Sequence, residues 1–208
     1  MNLLFAVAVV AGLGDRPAAL VGSDPAAYSA WLAAEAVRAD TSFSRVPACE
    51  TSKTTSQGMT PMPPAVLAKA TAMANDADGP VVIEHVRVEA CGRDWRQNIV
   101  AFRSKSGGWK GSLLAPGDGL ADYFVQREVL RMVVQIAPIG LSPVTCDETQ
   151  QGKTFTLKGA KITAQPDKAG VWKEVWSIEV CGQARPIEVT FTPKPDGSVD
   201  TDYKPMWK

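Results

Sequence analysis

Histidine occurs once in 208 residues, tyrosine three times, and the 22 basic side chains are matched by 22 acidic ones. A single His limits any triad or His-based metal site to one such participant. Zero net charge removes the attraction that nucleic acid or an acidic membrane surface exerts on a basic chain, which argues against nucleic acid as a partner. The spacings C-x-x-C, H-E-x-x-H, G-x-S-x-G, S-x-x-K and G-x-G-x-x-G are all missing. Paired-ligand zinc sites, metalloprotease helices, nucleophile elbows and dinucleotide loops therefore have no footing, and neither metal nor cofactor is expected. Gly152-Lys153-Thr154 ends like a phosphate loop, but Asp147 stands where the cradle needs its first glycine.

No apolar run is long enough to span a bilayer. Leu3 to Leu13 is apolar, but as a helix it rises only about 16 Å against a hydrocarbon core of about 30 Å. It reads instead as the h-region of a signal peptide over residues 1–14, with Gly12 and Gly14 as the small residues before a cut at Asp15. The positive charge that usually precedes such a run is absent. Residues 15–22 then form a linker, and a secreted or periplasmic location is expected.

What the chain does have is an internal repeat. Val81, Glu84, Glu89, Cys91 and Gly92 align without a gap on Val171, Glu174, Glu179, Cys181 and Gly182. With a one-residue slip, Arg96, Val100, Phe102, Lys105, Gly108 and Pro116 fall on Arg185, Val189, Phe191, Lys194, Gly197 and Pro205. Upstream, Leu67, Ala70 and Ala74 fall on Leu157, Ala160 and Ala164, and Cys49 corresponds to Cys146. A fixed self-similarity of this kind is best read before any single element.

Each copy opens with a helix signal. Ser23-Asp24-Pro25 supplies a cap and a first-turn proline, ahead of an apolar face of Tyr28, Trp31, Leu32 and Ala36. Asp118 to Ile136 is the second helix, with Tyr123, Phe124, Leu130 and Val134 expected inward and Arg127 and Arg131 outward. Four strand-like runs follow in the second copy: Thr154 to Ala164, Val171 to Cys181, Arg185 to Thr192 and Ser198 to Tyr203. Period-two alternation puts Trp172, Trp176, Ile178 and Val180 on one face, matched by Val82, Val86, Val88 and Ala90 in the first copy. Ala65 to Ala74 is helical by composition, yet its repeat partner assigns it to a strand. The expected fold is α+β: a tandem repeat of one helix packed on a four-stranded antiparallel sheet, over residues 23–117 and 118–208. Pro116-Gly117-Asp118-Gly119 is the joint.

The four cysteines follow the repeat. Of three pairings, only Cys49 with Cys91 and Cys146 with Cys181 respects it. Closing two loops of about 40 residues contributes about 4 kcal/mol each on the chain-entropy estimate and suits an oxidising compartment.

Functional candidates are few. By strict alternation Glu84 and Glu174 fall in the inward rows, where a buried carboxylate can act as acid or base, or else pair with Arg96 and Arg185 on the next strand. His85 lies in the outward row with Arg87 and Glu89, as on a solvated face. Arg93, Trp95, Arg96, Arg103, Lys105, Trp109 and Lys110 form the densest basic and aromatic stretch. Trp95, Trp109, Arg93 and Arg103 are its binding candidates, since aromatics and cations together stack on bases or sugars. The leading reading is a non-enzymatic protein that presents a sheet surface to a protein or cell-envelope component. The alternative is a small hydrolase using Glu84 or Glu174. In architecture alone, tandem helix-plus-sheet repeats with one disulfide each resemble the bacterial secreted inhibitors of β-lactamase, a likeness that carries over no residue.

Overall fold

The computed structural model describes residues 18–22, 24–44, 52–90, 92–141 and 155–207. The expected leader lies outside them. The protein is α+β, with one antiparallel sheet of four strands and one of five. The chain divides into two units: Met1–Thr41 with Val46–Leu114, and Ser42–Arg45 with Ala115–Lys208.

The first unit starts with α1 (Ala18–Val21) and α2 (Pro25–Ser44). Asp24 Oδ1 accepts from the Ala27 amide at 2.9 Å, capping the first turn of α2 just ahead of its proline. Tyr28, Leu32, Ala36 and Ala39 recur at helical spacing and are fully buried. The first three share a core with Val82, Val86, Val88, Ile99 and Ala101 of the sheet. Leu20 of α1 belongs to the same core. Residues 18–21 are thus part of the folded unit, not of a linker over 15–22, because burying Leu20 and Val21 outweighs leaving that turn solvated.

The first sheet runs in chain order: β1 (Ser52–Pro61), β2 (Val82–Ala90), β3 (Arg93–Arg103) and β4 (Trp109–Leu114). Its first strand is a correction. Ala65 to Ala74 is helical, divided between α3 (Pro64–Lys69) and α4 (Thr71–Asp76). Pro64 at the first helical position and the alanines that follow act as their propensities dictate, while the Thr-bearing Ser52–Pro61 pairs with β2. Matching Leu67, Ala70 and Ala74 to Leu157, Ala160 and Ala164 therefore joined helix to strand. In the two sheets Thr54 lies opposite Val88, and Leu157 opposite Ile178.

In the second unit α5 (Tyr123–Ile136) begins later than the expected Asp118. Asp122 Oδ1 caps it, accepting from the Phe124 and Val125 amides at 2.8 and 3.0 Å. Its buried stripe is Gln126, Val129 and Val133, continued by Ala137, one position out of phase with the expected face. Val134 is 44 % exposed, and Tyr123, Phe124 and Leu130 are only half-buried. The aromatics of the first turn suggested an inward face that the i, i+4, i+8 aliphatic series overrides. That series packs on β5 (Phe155–Ala164), β6 (Trp172–Val180) and β8 (Ile187–Pro193), with β9 (Val199–Pro205) beyond and β7 (Gln183–Ala184) beside β6.

A short strap precedes α5. Gly117 bridges Ala160 of β5; the Asp118 amide donates to the Ala160 carbonyl at 2.9 Å, and the Ala160 amide to the Pro116 carbonyl at 2.8 Å. Gly117 has φ +97°, and a Cβ there would sit 2.2 Å from the Ala160 oxygen, so only glycine permits the approach.

Candidate functional site

Alternation on β2 and β6 carries Glu84 and Glu174 to the helix-covered faces, where both side chains are fully buried. Each is held by donors from different elements. The Tyr28 hydroxyl of α2 donates to Glu84 Oε2 at 2.8 Å, and the Ser56 hydroxyl of β1 to Glu84 Oε1 at 2.6 Å. At Glu174, Oε1 accepts from the Leu120 and Ala121 amides at 2.6 and 3.1 Å and from Trp172 Nε1 at 3.1 Å. Trp176 Nε1 donates to Oε2, also at 3.1 Å.

Neither arrangement is the expected pairing with arginine. Arg96 lies directly opposite Arg87, a position of the outward row, whereas Glu84 lies opposite Ile99 on the inward face. Arg185 instead hydrogen-bonds Gln183 and packs over Trp207. A buried carboxylate is stabilised when several hydrogen bonds converge on it, as the described donors do here. An acid–base catalyst needs a reachable oxygen. The donors around these two carboxylates occupy the oxygens that a substrate would approach, so the geometry suits structural anchors.

Sequence reasoning placed Tyr28, Trp172 and Trp176 inward as apolar side chains and missed them as donors. The signal was present: in Trp172-x-Glu174-x-Trp176 both indoles share the carboxylate's face. Ser56 and the 119–121 segment gave no such signal. Gly119 is part of the site, because a Cβ there would lie 2.9 Å from Glu174 Oε2. Gln126 steadies the segment from α5, accepting from the Ala115 amide at 2.8 Å and donating to the Ala121 carbonyl at 2.7 Å.

The basic and aromatic stretch does not form an open stacking ladder. Trp109 and Arg103 are direct cross-strand partners on the helix-covered face. Trp109 Nε1 donates to the Leu20 carbonyl at 2.8 Å, and its ring meets Tyr28 edge-on at 5.6 Å and Trp31 at 6.4 Å. The Arg103 guanidinium packs against the turn after α1, where a Cβ on Gly22 would meet Nη1 at 2.1 Å. Arg93 lies 4.5 Å over the Trp95 ring, and Trp95 is half-buried against the core. The aromatics thus serve packing, as alternating strands favour.

His85 sits in the outward row, its Nδ1 2.8 Å from Asn98 Oδ1 and its Nε2 3.4 Å from Thr60 Oγ1. Cys181 is disulfide-bonded; Cys49, Cys91 and Cys146 lie outside the described residues. Among the described residues no three His, Cys, Asp or Glu side chains are grouped to hold a metal ion. No helix among them is long and apolar enough to cross a membrane.

The outward face of the second sheet has a different character. Lys173, Thr190 and Asp202 form one cross-strand row, and Val175, Glu188 and Lys204 the next. None of the six is buried. Lys173 Nζ reaches Glu188 Oε1 at 3.2 Å across this face. Comparison with protein-family models, with curated proteins and with solved structures finds no match for the chain.

Proposed function

We propose that this is a secreted or periplasmic, non-enzymatic protein, built as two copies of a helix on a four-stranded sheet, that presents an outward sheet face to a protein or envelope component. The open outward face of the second sheet carries the reading. Lys173, Val175, Glu188, Thr190, Asp202 and Lys204 offer a mixed-charge surface with no buried position among them. Alternating charge of this kind selects partners by complementarity more than by area. The repeat draws support from the register of the two sheets. Each first strand carries a bulge, between Ser56 and Gly58 and between Leu157 and Gly159, and each second strand buries a glutamate. The disulfide at Cys181 suits an oxidising compartment. The carboxylate-dependent hydrolase gains nothing from Glu84 and Glu174, whose oxygens are engaged within the core.

Two experiments test the proposal. Cell fractionation with amino-terminal sequencing should recover a form beginning near Asp15 outside the cytoplasm; an intact amino terminus in the cytoplasm overturns the location. Capture from envelope extract should yield a component that is lost when Lys173→Glu and Thr190→Arg are combined in a variant with an unchanged circular dichroism spectrum. Equal capture by the variant and the native protein removes the outward face from the reading.

A further inference from the structure

The second unit distributes its charges in an unusual way. Lys158, Lys173 and Lys194, with side chains 51 %, 42 % and 44 % exposed, each have a carboxylate within 3.5 Å. Arg185 is only 8 % exposed, yet among the described residues no carboxylate lies within ion-pair distance of it. A cation withdrawn from water without a counter-charge is the costly arrangement, whereas exposed pairs contribute little.

The side chain is also held in place. Arg185 continues the buried alternation of Ile187, Val189 and Phe191, and its amide donates to the Ile178 carbonyl at 2.7 Å. Its guanidinium lies 5.0 Å over the Trp207 ring. Nη2 donates to Gln183 Oε1 at 3.1 Å, and the rest of the fork has no partner among the described residues. Stacking on an indole fixes the guanidinium plane while leaving its edge for a bidentate acceptor.

We propose that Arg185, backed by Trp207 and flanked by Gln183, is a binding site for a single carboxylate group. One cation among neutral neighbours balances one negative charge, and the planar fork matches two coplanar oxygens better than a dianion that calls for a second cation. The carboxylate belongs either to a small free acid or to an acidic side chain of a bound peptide. Arg185 shares the helix-side alternation with Ile187, so this site does not rest on the outward face of the sheet.

The test follows the Trp207 indole N–H signal of the full chain by NMR, assigned by its loss in Trp207→Phe. The probes are sodium acetate and an acetylated, amidated peptide with a single Glu, against sodium chloride at matched ionic strength. A saturable shift with acetate or peptide, absent with chloride, supports the site. Arg185→Lys should weaken it roughly tenfold by losing the planar fork, and Arg185→Gln should abolish it with the near-ultraviolet circular dichroism retained. If Arg185→Gln fails to fold, the lysine variant carries the test. Equal affinity for the two probes assigns a small acid; clearly tighter peptide binding assigns a partner's side chain. The proposal is overturned if neither probe gives a saturable shift, or if the shift survives unchanged in both Arg185 variants.

Discussion

Glu84 and Glu174 occupy matching places in the two sheets, yet the two units satisfy them by different means. Among the described residues the first unit brings hydroxyls, from Tyr28 and Ser56. The second brings N–H groups, two from the backbone of 120–121 and two from indoles. The substitution that separates them is small: Ser56 lies opposite Val86, and Ala160 opposite Trp176. With a serine in the strand, the carboxylate is served from the neighbouring strand and the helix. With an alanine there, the strap before α5 runs past β5 and supplies amides. Both sheets keep a buried acceptor on their second strand, and each surrounds it with donors of its own kind.

The sharpest way to break this comparison is to remove charge and one acceptor from each site in turn. An N–H group cannot turn round to accept, whereas a hydroxyl can. Glu174→Gln should therefore cost about 3 kcal/mol in urea unfolding, and Glu84→Gln only about 1 kcal/mol, since Tyr28 and Ser56 can reorient towards the new amide. Equal losses would show that the donor type is irrelevant. Next in size, Gly119→Ala should destabilise by about 1 to 2 kcal/mol through the crowding of its Cβ against Glu174, without effect on the first unit's near-ultraviolet signature.

A gain is expected at Thr54. The residue is 1 % exposed and its hydroxyl has no hydrogen-bond partner among the described residues, while in the second sheet Leu157 lies opposite Ile178 as Thr54 lies opposite Val88. Thr54→Val should raise stability by about 1 kcal/mol in the same assay; a loss would mean that the hydroxyl is satisfied in solution.

The smallest effect concerns a contact of the first unit. Hydrogen bonds from Lys110 and then Ser104 hold the Asp76 carboxyl below its ordinary value of 3.8. Its contribution is therefore complete above that value and is lost as pH falls through the lowered one. Asp76→Asn should flatten the acid limb of thermal stability below about pH 4 and leave the profile near neutrality unchanged.

Much of this could be read from residues alone, where one physical signal dominated. Period-two alternation located β2 and β6, and with them the burial of both glutamates. At two places one physical signal overrides another. Along Ala65 to Ala74 local helix propensity prevails over the strand that repeat matching predicts. In α5 the aromatics Tyr123 and Phe124 set the expected phase, but they fall in a first turn that the aliphatic stripe does not need. The donors to Glu174 were least legible, because a backbone amide carries no residue-specific signal and Gln126, which positions the 115–121 segment, looks like any solvated helix residue.

The strap at Gly117 has a consequence for the edge of the second sheet. β5 is an outer strand of its sheet, and an outer strand offers unpaired amides and carbonyls to any other extended chain. By taking both backbone groups of Ala160, residues 116–118 fill part of that row with the protein's own backbone. Gly159, φ +150°, bends the strand beneath the strap, with Pro116 close above it. Two glycines and a proline thus keep one flank of the sheet from recruiting copies of itself into a growing stack.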